Sequence, residues 1–249
     1  MSSATPPSRR FSIRRIRQAL IRARRALLEL VLPRLHYYMR RRSWNRSWAR
    51  EDFYSPLRLW FLPSGVVPQA LIAVLASGWL DQGGTVLDIG CGDGRIAAYL
   101  AKAGYDVLGV DFAEASIARA RSREGESDRL RFQVLDICEK IPDGAPFDIL
   151  FDRGCFHDLP KGLRPAFLRA LVACSRPGTR MFLMLRVTEQ VDLEAEERYR
   201  ATARVRAAVH EFFSPYFTIE RADVTYFNNR GDENAANSLA GLAVRMSRH

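Results

Sequence analysis

Between residues 84 and 249 the chain alternates short apolar runs with stretches whose apolar positions recur every three or four residues. The runs at 85–89, 106–110, 130–135, 147–151 and 181–187 are rich in Val, Ile, Leu, Phe and Met, as strands buried on both faces are. The intervening segments 95–103, 113–121 and 163–174, and a later one at 201–213, carry the helical period. Two more strands, 217–226 and 239–246, close the chain with no helical segment between them. Units alternating at this length predict an α/β fold. Its sheet is doubly wound, mostly parallel and seven-stranded, with helices on both faces and the last two strands paired antiparallel.

A different pattern precedes the sheet. Ile13, Ile16, Leu20, Ala23, Leu27 and Val31 share one face of a helix predicted over 11–32, with arginines around the rest and Pro33 at its end. The first eight residues are small and polar, the composition of a disordered start. A basic amphipathic helix of this kind lies on an anionic membrane surface, packs on its own domain with its arginines solvated, or serves as a targeting segment. No uninterrupted apolar stretch follows the basic start, so no secretory signal is expected. Residues 59–80 are uncharged, but Pro63, Gly65 and Pro68 break the first half. What remains, 69–80, has the length of a buried core helix rather than of a membrane span.

Charge separates these two regions. Residues 1–50 hold fourteen Arg, no Lys and one acid, Glu29, whereas residues 51–249 hold 24 bases and 27 acids. The net +10 therefore belongs to an arm, 1–43, and the domain at 44–249 is slightly acidic. A nucleic-acid partner is disfavoured, because the globular part supplies no basic surface of its own. Cys91, Cys138, Cys155 and Cys174 show no metal-type spacing, and no metal is expected. Four unpaired thiols fit a reducing, cytoplasmic compartment, with the arm allowing attachment at the membrane periphery.

The chemistry lies at the strand ends. Val86-Leu-Asp-Ile-Gly-Cys-Gly-Asp-Gly94 is a strand running into Gly90, Gly92 and Gly94 and then a helix. In an open α/β sheet this first turn is at the carboxyl edge, where ligands bind, and glycines let the backbone approach them. Dinucleotide enzymes share such a turn, but Asp88 would repel a pyrophosphate placed there. S-adenosylmethionine has no phosphate and brings an ammonium and a sulfonium, which a carboxylate suits. Asp111 closes the second strand seventeen residues after Gly94, where an acid accepts ribose hydroxyls, and Phe112 beside it offers an apolar face to adenine. Asp136 closes the third, within reach of an adenine amino group, with Ile137 against the ring. Cys91 stands between the first two glycines of the turn.

These motifs, Asp88–Gly94, Asp111 and Asp136, resemble those of the class I S-adenosylmethionine-dependent methyltransferases, and the resemblance covers about residues 44–247. It implies the sheet order 3-2-1-4-5-7-6 with the seventh strand antiparallel, Asp111 on the ribose and Asp136 on the adenine. A narrower likeness sits at the fourth strand, Asp152-Arg153-Gly154-Cys155-Phe156-His157-Asp158, which looks like the thiopurine methyltransferase family and its bacterial small-molecule relatives. Trp44 and Trp48, four apart, match two tryptophans that help cover the cofactor in that family. The likeness puts Asp152 and Arg153 on the acceptor side.

The expected activity is methyl transfer to a small-molecule acceptor, a soft nucleophile such as a thiol first. Arg153 would orient an anionic acceptor or lower a thiol's pKa, or else form a structural ion pair with Asp152 or Asp158. His157 is a candidate general base, or a loop histidine anchored to Asp158 or to backbone. Cys155 follows Gly154 rather than proline and reads as a wall residue. Two alternatives remain open: a membrane-attached methyltransferase of a lipophilic acceptor, and a non-catalytic RNA- or membrane-binding protein with a methyltransferase-like core. The sequence leaves the oligomeric state open.

Overall fold

A computed structural model of the chain describes residues 32–50, 66–80, 83–188, 194–227 and 239–249, together with Leu20 and Leu27. The helix expected over 11–32 and the first part of the uncharged stretch, 59–65, lie outside the described residues apart from those leucines and Leu32.

Seven strands form one sheet: β1 (Thr85–Ile89), β2 (Asp106–Asp111), β3 (Leu130–Val134), β4 (Ile149–Arg153), β5 (Arg180–Arg186), β6 (Phe217–Tyr226) and β7 (Ala240–Arg248). Their order is β3-β2-β1-β4-β5-β7-β6. The first five are parallel, and β7 runs antiparallel to both β5 and β6. This is the order that the class I resemblance implied. Helices are α1 (Pro33–Ala49), α2 (Gln69–Ala76), α3 (Arg95–Lys102), α4 (Glu114–Glu124), α5 (Cys155–Asp158), α6 (Arg164–Ala173) and α7 (Ala195–Phe213).

The apolar runs are continuous because each central strand is buried on both sides. Along β1 and β4 successive side chains point to opposite faces. Leu87, Ile89 and Leu150 join Phe156, Phe167, Phe213 and Phe217 in one core. Val86, Ile149 and Phe151 join Leu71, Val74, Ala97, Leu100 and Phe182 in the other. Among the described residues no helix is long and apolar enough to cross a membrane. Within the uncharged stretch α2 buries Leu71 and Val74 against the sheet, and it stops at Ala76, ahead of Gly78 at φ 66°.

Several boundaries move from expectation, each for a local reason. Strand β4 begins two residues later than its apolar run, because Phe147 N–H is already held by Cys174 O at 2.8 Å. Helix α7 starts at Ala195 rather than 201, where Glu196 and Glu197 occupy the positive end of the helix and Glu196 pairs with Arg200 at 2.7 Å. Pro33 opens a new helix, α1, behind a non-helical Leu32, and there a fixed φ and a missing N–H cost nothing. Helix α1 then runs through position 43, where the arm was expected to give way to the domain.

Phe182 on β5 is fully buried and packs on Phe151, ring centroids 6.0 Å apart. Phe182→Ala is expected to cost about 3–5 kcal/mol of stability, the usual range for an emptied aromatic core site. Val224→Ala, at a position 57 % exposed on edge strand β6, is expected to cost about 0.5 kcal/mol or less. Denaturant unfolding of both variants beside the parent chain checks the contrast.

Candidate cofactor and acceptor site

Because β1 to β4 are parallel and in register, their carboxyl ends meet at one edge of the sheet. Asp88 pairs across to Gly109 and Phe151, Ile89 lies beside Asp152, and Asp111 lies beside Val134. Four acids from four strand ends are thereby gathered at one edge, and a cleft of about 190 Å³ opens there. Every side chain expected at the cofactor or acceptor site lines that cleft except Asp152, and of the three turn glycines Gly90 and Gly92 line it while Gly94 does not.

The floor is the turn after β1. Gly90 and Gly92 have φ of 71° and 59°, a left-handed backbone that favours glycine. The space is equally restrictive: a Cβ on Gly90 would meet Cys155 Cβ at 2.9 Å, and one on Gly92 would meet the Trp48 ring at 3.1 Å. Asp88 lies under this turn, 2 % exposed, and its Oδ2 has no hydrogen-bond partner among the described residues. Burial, then the charges of Asp152 and Asp111, push its pKa up to about 8. A buried carboxylate oxygen of this kind is costly unless a cation or a donor meets it.

Asp111 is more nearly satisfied. Its Oδ2 accepts from Gly92 N–H at 3.2 Å and its Oδ1 from Ala113 N–H at 2.8 Å. Burial nevertheless pushes its pKa up to about 6. Asp136 Oδ1 accepts from Tyr37 Oη–H at 2.9 Å and from Cys138 N–H at 3.0 Å. Arg41 pairs with Oδ2 at 3.1 Å but directs its hydrogen bond to Glu139, so that oxygen keeps acceptor capacity. Phe112 stands beside them, its ring edge-on to Tyr37 at 6.2 Å and beneath the Arg41 guanidinium at 5.8 Å. Ile137, 6 % exposed, lines the cleft next to Asp136.

Helix α1 covers this half. Tyr37, Arg41, Trp44 and Trp48 lie at helical spacing along one of its faces and turn toward the cleft. Trp48 lies on the Gly92 turn, and Trp44 packs beside Phe112 and Ala113. Asn45 Oδ1 accepts from Ala115 N–H at 3.0 Å, supplying a partner to the start of α4. Sequence reasoning found the two tryptophans and missed Tyr37 and Asn45. Tyr37 was within reach, since it precedes Trp44 by two helical turns.

The opposite half is built from the end of β4. Asp152 is fully buried, and both its oxygens are used: Oδ1 accepts from Cys155 N–H at 2.8 Å and Oδ2 from Phe156 N–H at 2.9 Å. It thus ties down the first turn of α5, which sequence reasoning did not foresee. Gly154, at φ 101°, makes the turn between them. Asp152 therefore sits behind the wall of the cleft rather than on it. Arg153 donates to Phe227 O at 2.7 Å and lies 4.4 Å over that ring. Burial lowers its pKa only to about 10, so it stays charged at neutral pH. No sequence motif marked Phe227, which arrives from the end of β6, more than 70 residues away.

His157 has a defined state. Its Nδ1 accepts from Arg186 N–H at 3.2 Å, and its ring edge rests against Phe227 at 5.2 Å. Burial, followed by the charges of Arg186 and Arg153, pushes its pKa down to about 3. The ring is neutral and its hydrogen is on Nε2, which lies 4.0 Å from Asp158 Oδ2. A general base needs a free ring nitrogen, and this histidine presents a donor instead. Asp158 is in turn bracketed by Arg186 at 3.4 Å and Arg40 at 3.8 Å. Cys155 lines the wall with a thiol that burial holds far above its ordinary pKa. No cluster of metal-ligating side chains occurs among the described residues.

Comparison with known proteins agrees with this geometry. Residues 86–178 match the family model described as a methyltransferase domain. The chain is 31 % identical over 111 residues to a 2-heptyl-1-hydroxyquinolin-4(1H)-one methyltransferase of Mycobacteroides abscessus, covering 43 % of this chain and 49 % of that protein. It is 31 % identical over 149 residues to a ubiquinone biosynthesis O-methyltransferase of Pseudomonas paraeruginosa, covering 56 % of this chain and 57 % of that protein. The chain thus spans about half the length of the curated relatives it matches. Among solved structures, a 1,6-didemethyltoxoflavin-N1-methyltransferase of Burkholderia thailandensis with bound S-adenosylhomocysteine superposes with a TM-score of 0.61 at 20 % identity. The match covers 88 % of this chain and 91 % of that one. The fold and the matched segment are those of a class I S-adenosylmethionine-dependent methyltransferase. The narrower likeness to thiopurine methyltransferases gains only loose support from these matches.

The buried acids make the ligand-free fold pH-sensitive. Asp88, Asp152 and Asp111 are raised to about 8, 7 and 6 from an ordinary 3.8. Raised carboxyl pKa values mean that the folded chain binds these protons more tightly than the unfolded chain. The associated stability is fully present below 3.8 and is lost as pH rises through about 6, 7 and 8. The unfolding midpoint of the ligand-free protein is expected to fall between about pH 5 and pH 8.5, and Asp88→Asn to flatten the upper part of that fall. An Asp88→Asn profile that overlays the parent's would show that Asp88 is not the group responsible.

Proposed function

We propose that this protein is an S-adenosylmethionine-dependent methyltransferase acting on a small-molecule acceptor whose reacting atom needs no base from the enzyme. The observation that carries the cofactor half is the buried, unpartnered Asp88 oxygen beneath a glycine turn that admits no side chain. A cationic ligand without phosphate meets that oxygen, and a pyrophosphate does not. Asp88 and the turn hold the amino-acid end, Asp111 the ribose, and Asp136 with Phe112 and Ile137 the adenine. Trp44 and Trp48 exclude water from above. When bound, the cofactor supplies a methyl group on a sulfonium, already activated for in-line displacement.

The residues on the acceptor side do the remaining work by position. Asp152 shapes the wall through its two backbone hydrogen bonds, Arg153 fixes Phe227, and His157 Nε2–H donates to an oxygen or nitrogen of the acceptor. Holding acceptor and methyl in line is worth up to ~7–11 kcal/mol in favourable cases. None of these groups takes a proton: Asp152 is sequestered, the Cys155 thiol stays protonated and the His157 ring presents N–H. That favours acceptors that arrive with a free lone pair, a thiolate, an amine or an acidic hydroxyl, with a soft atom such as sulfur first. Oxygen and ring nitrogen remain consistent with the names of the relatives. Within this reading 1–43 is a basic appendage to a catalytic domain at 44–249, and α1 joins the two.

Calorimetry of the purified protein is expected to show binding of S-adenosylmethionine and none of NAD. Asp88→Ala and Asp111→Ala are each expected to weaken that binding at least tenfold (about 1.4 kcal/mol). Loss of fold does not explain such a result if Asp88→Ala is no less stable at pH 8, as removal of a buried acid predicts. Unaltered binding in both variants, or binding of NAD alone, would overturn the proposal.

With an acceptor in hand, a second prediction concerns His157. His157→Ala is expected to raise KM for the acceptor about tenfold with kcat changed less, and His157→Gln, which keeps an N–H donor, to recover part of it. The kcat/KM profile of the parent should show no ionisation assignable to this residue between pH 5 and 9. A limb near 6.5 that vanishes in His157→Gln would instead make it a base.

A further inference from the structure

Helix α1 has two faces with apolar side chains, and among the described residues only one of them packs on the domain. Tyr37, Arg41, Trp44 and Trp48 face the cleft. On the opposite side, at positions three, four and seven apart, Leu35, Tyr38, Met39, Arg42 and Arg46 are all exposed. Leu35 is 48 % exposed, and Tyr38 and Met39 are 53 % exposed. The Arg42 guanidinium lies 5.5 Å over the Tyr38 ring, so bases and apolar groups are interleaved on one surface. Leu32, just before the helix, and Leu20 and Leu27, seven residues apart further upstream, are exposed as well.

We propose that this outward face of α1 docks on an anionic lipid bilayer. Charge selects the sign of the partner: the first 50 residues carry fourteen Arg against one acid. The apolar side chains select its kind. A nucleic-acid backbone would be met by the arginines alone, with no use for Leu35 and Met39, whereas a lipid interface takes both. A second copy of this chain is disfavoured because two such arms would repel one another. The two halves act together: arginines bring the helix to the headgroups, and Leu35, Tyr38 and Met39 enter the boundary below them. The inference rests on the geometry of α1 and not on the identity of the reaction.

The test uses the full-length protein and sedimentation with vesicles of phosphatidylcholine alone or with about one third phosphatidylglycerol. Binding is expected only to the anionic vesicles and to weaken as salt rises, because the attraction is screened within a Debye length. Leu35→Asp with Met39→Asp, and separately Arg42→Glu with Arg46→Glu, are each expected to weaken it tenfold or more. Thermal unfolding and S-adenosylmethionine binding of these variants should match the parent, since the altered side chains face away from the cleft. No binding to anionic vesicles at low salt would overturn the proposal. So would vesicle binding that both double variants retain, preference for single-stranded RNA over vesicles insensitive to Leu35→Asp with Met39→Asp, or self-association through this face in sedimentation velocity. None of those results would bear on the methyltransferase reading, which stands or falls on the calorimetry.

Discussion

Acids at the ends of neighbouring parallel strands are an arrangement a folded chain does not reach without cost. Asp88 and Asp152 are almost wholly out of water, and Asp111 is 9 % exposed. Backbone N–H groups quiet two of them: Asp152 receives two from the start of α5, and Asp111 receives one each from Gly92 and Ala113. Asp88 is left with an oxygen that no described group meets. The rest of the site follows from that imbalance. The glycine turn keeps side chains from filling the space beside it, and α1 closes over it.

The two sides of the cleft differ in hydrogen-bond polarity. Along the ends of β1 to β3 the polar side-chain atoms are acceptors, carried by the carboxylates of Asp88, Asp111 and Asp136. Beyond the end of β4 they are donors: the Arg153 guanidinium, the His157 Nε2–H and the arginines around Asp158. A surface of donors thus stands next to a surface of acceptors.

Helix α1 lies where the basic part of the sequence meets the acidic part. Its inward face contributes Tyr37 to Asp136 and Trp48 to the glycine turn, and its Asn45 braces the start of α4. A single element therefore braces Asp136, the glycine turn and the start of α4 while presenting leucine, tyrosine, methionine and arginine to the outside.

By itself the sequence determined the parts governed by local rules. Period-two and period-3.6 apolar patterns depend on nearest neighbours along the chain, so the strands, most helices and the carboxyl-edge position of Asp88, Asp111 and Asp136 were legible. So was the charge contrast between residues 1–50 and 51–249. Tertiary structure alone decided what each polar side chain bonds to. Asp152 and His157 stood beside Arg153 in one short motif and looked alike as chemical candidates. Packing turned the first into a buried brace and the second into a neutral donor, because their partners are the α5 backbone and the distant Arg186 N–H. Phe227 reached the wall only because β6 follows β7 at the edge of the sheet. Hydrogen-bond partners and burial are set by residues far apart in sequence, and no local pattern encodes them.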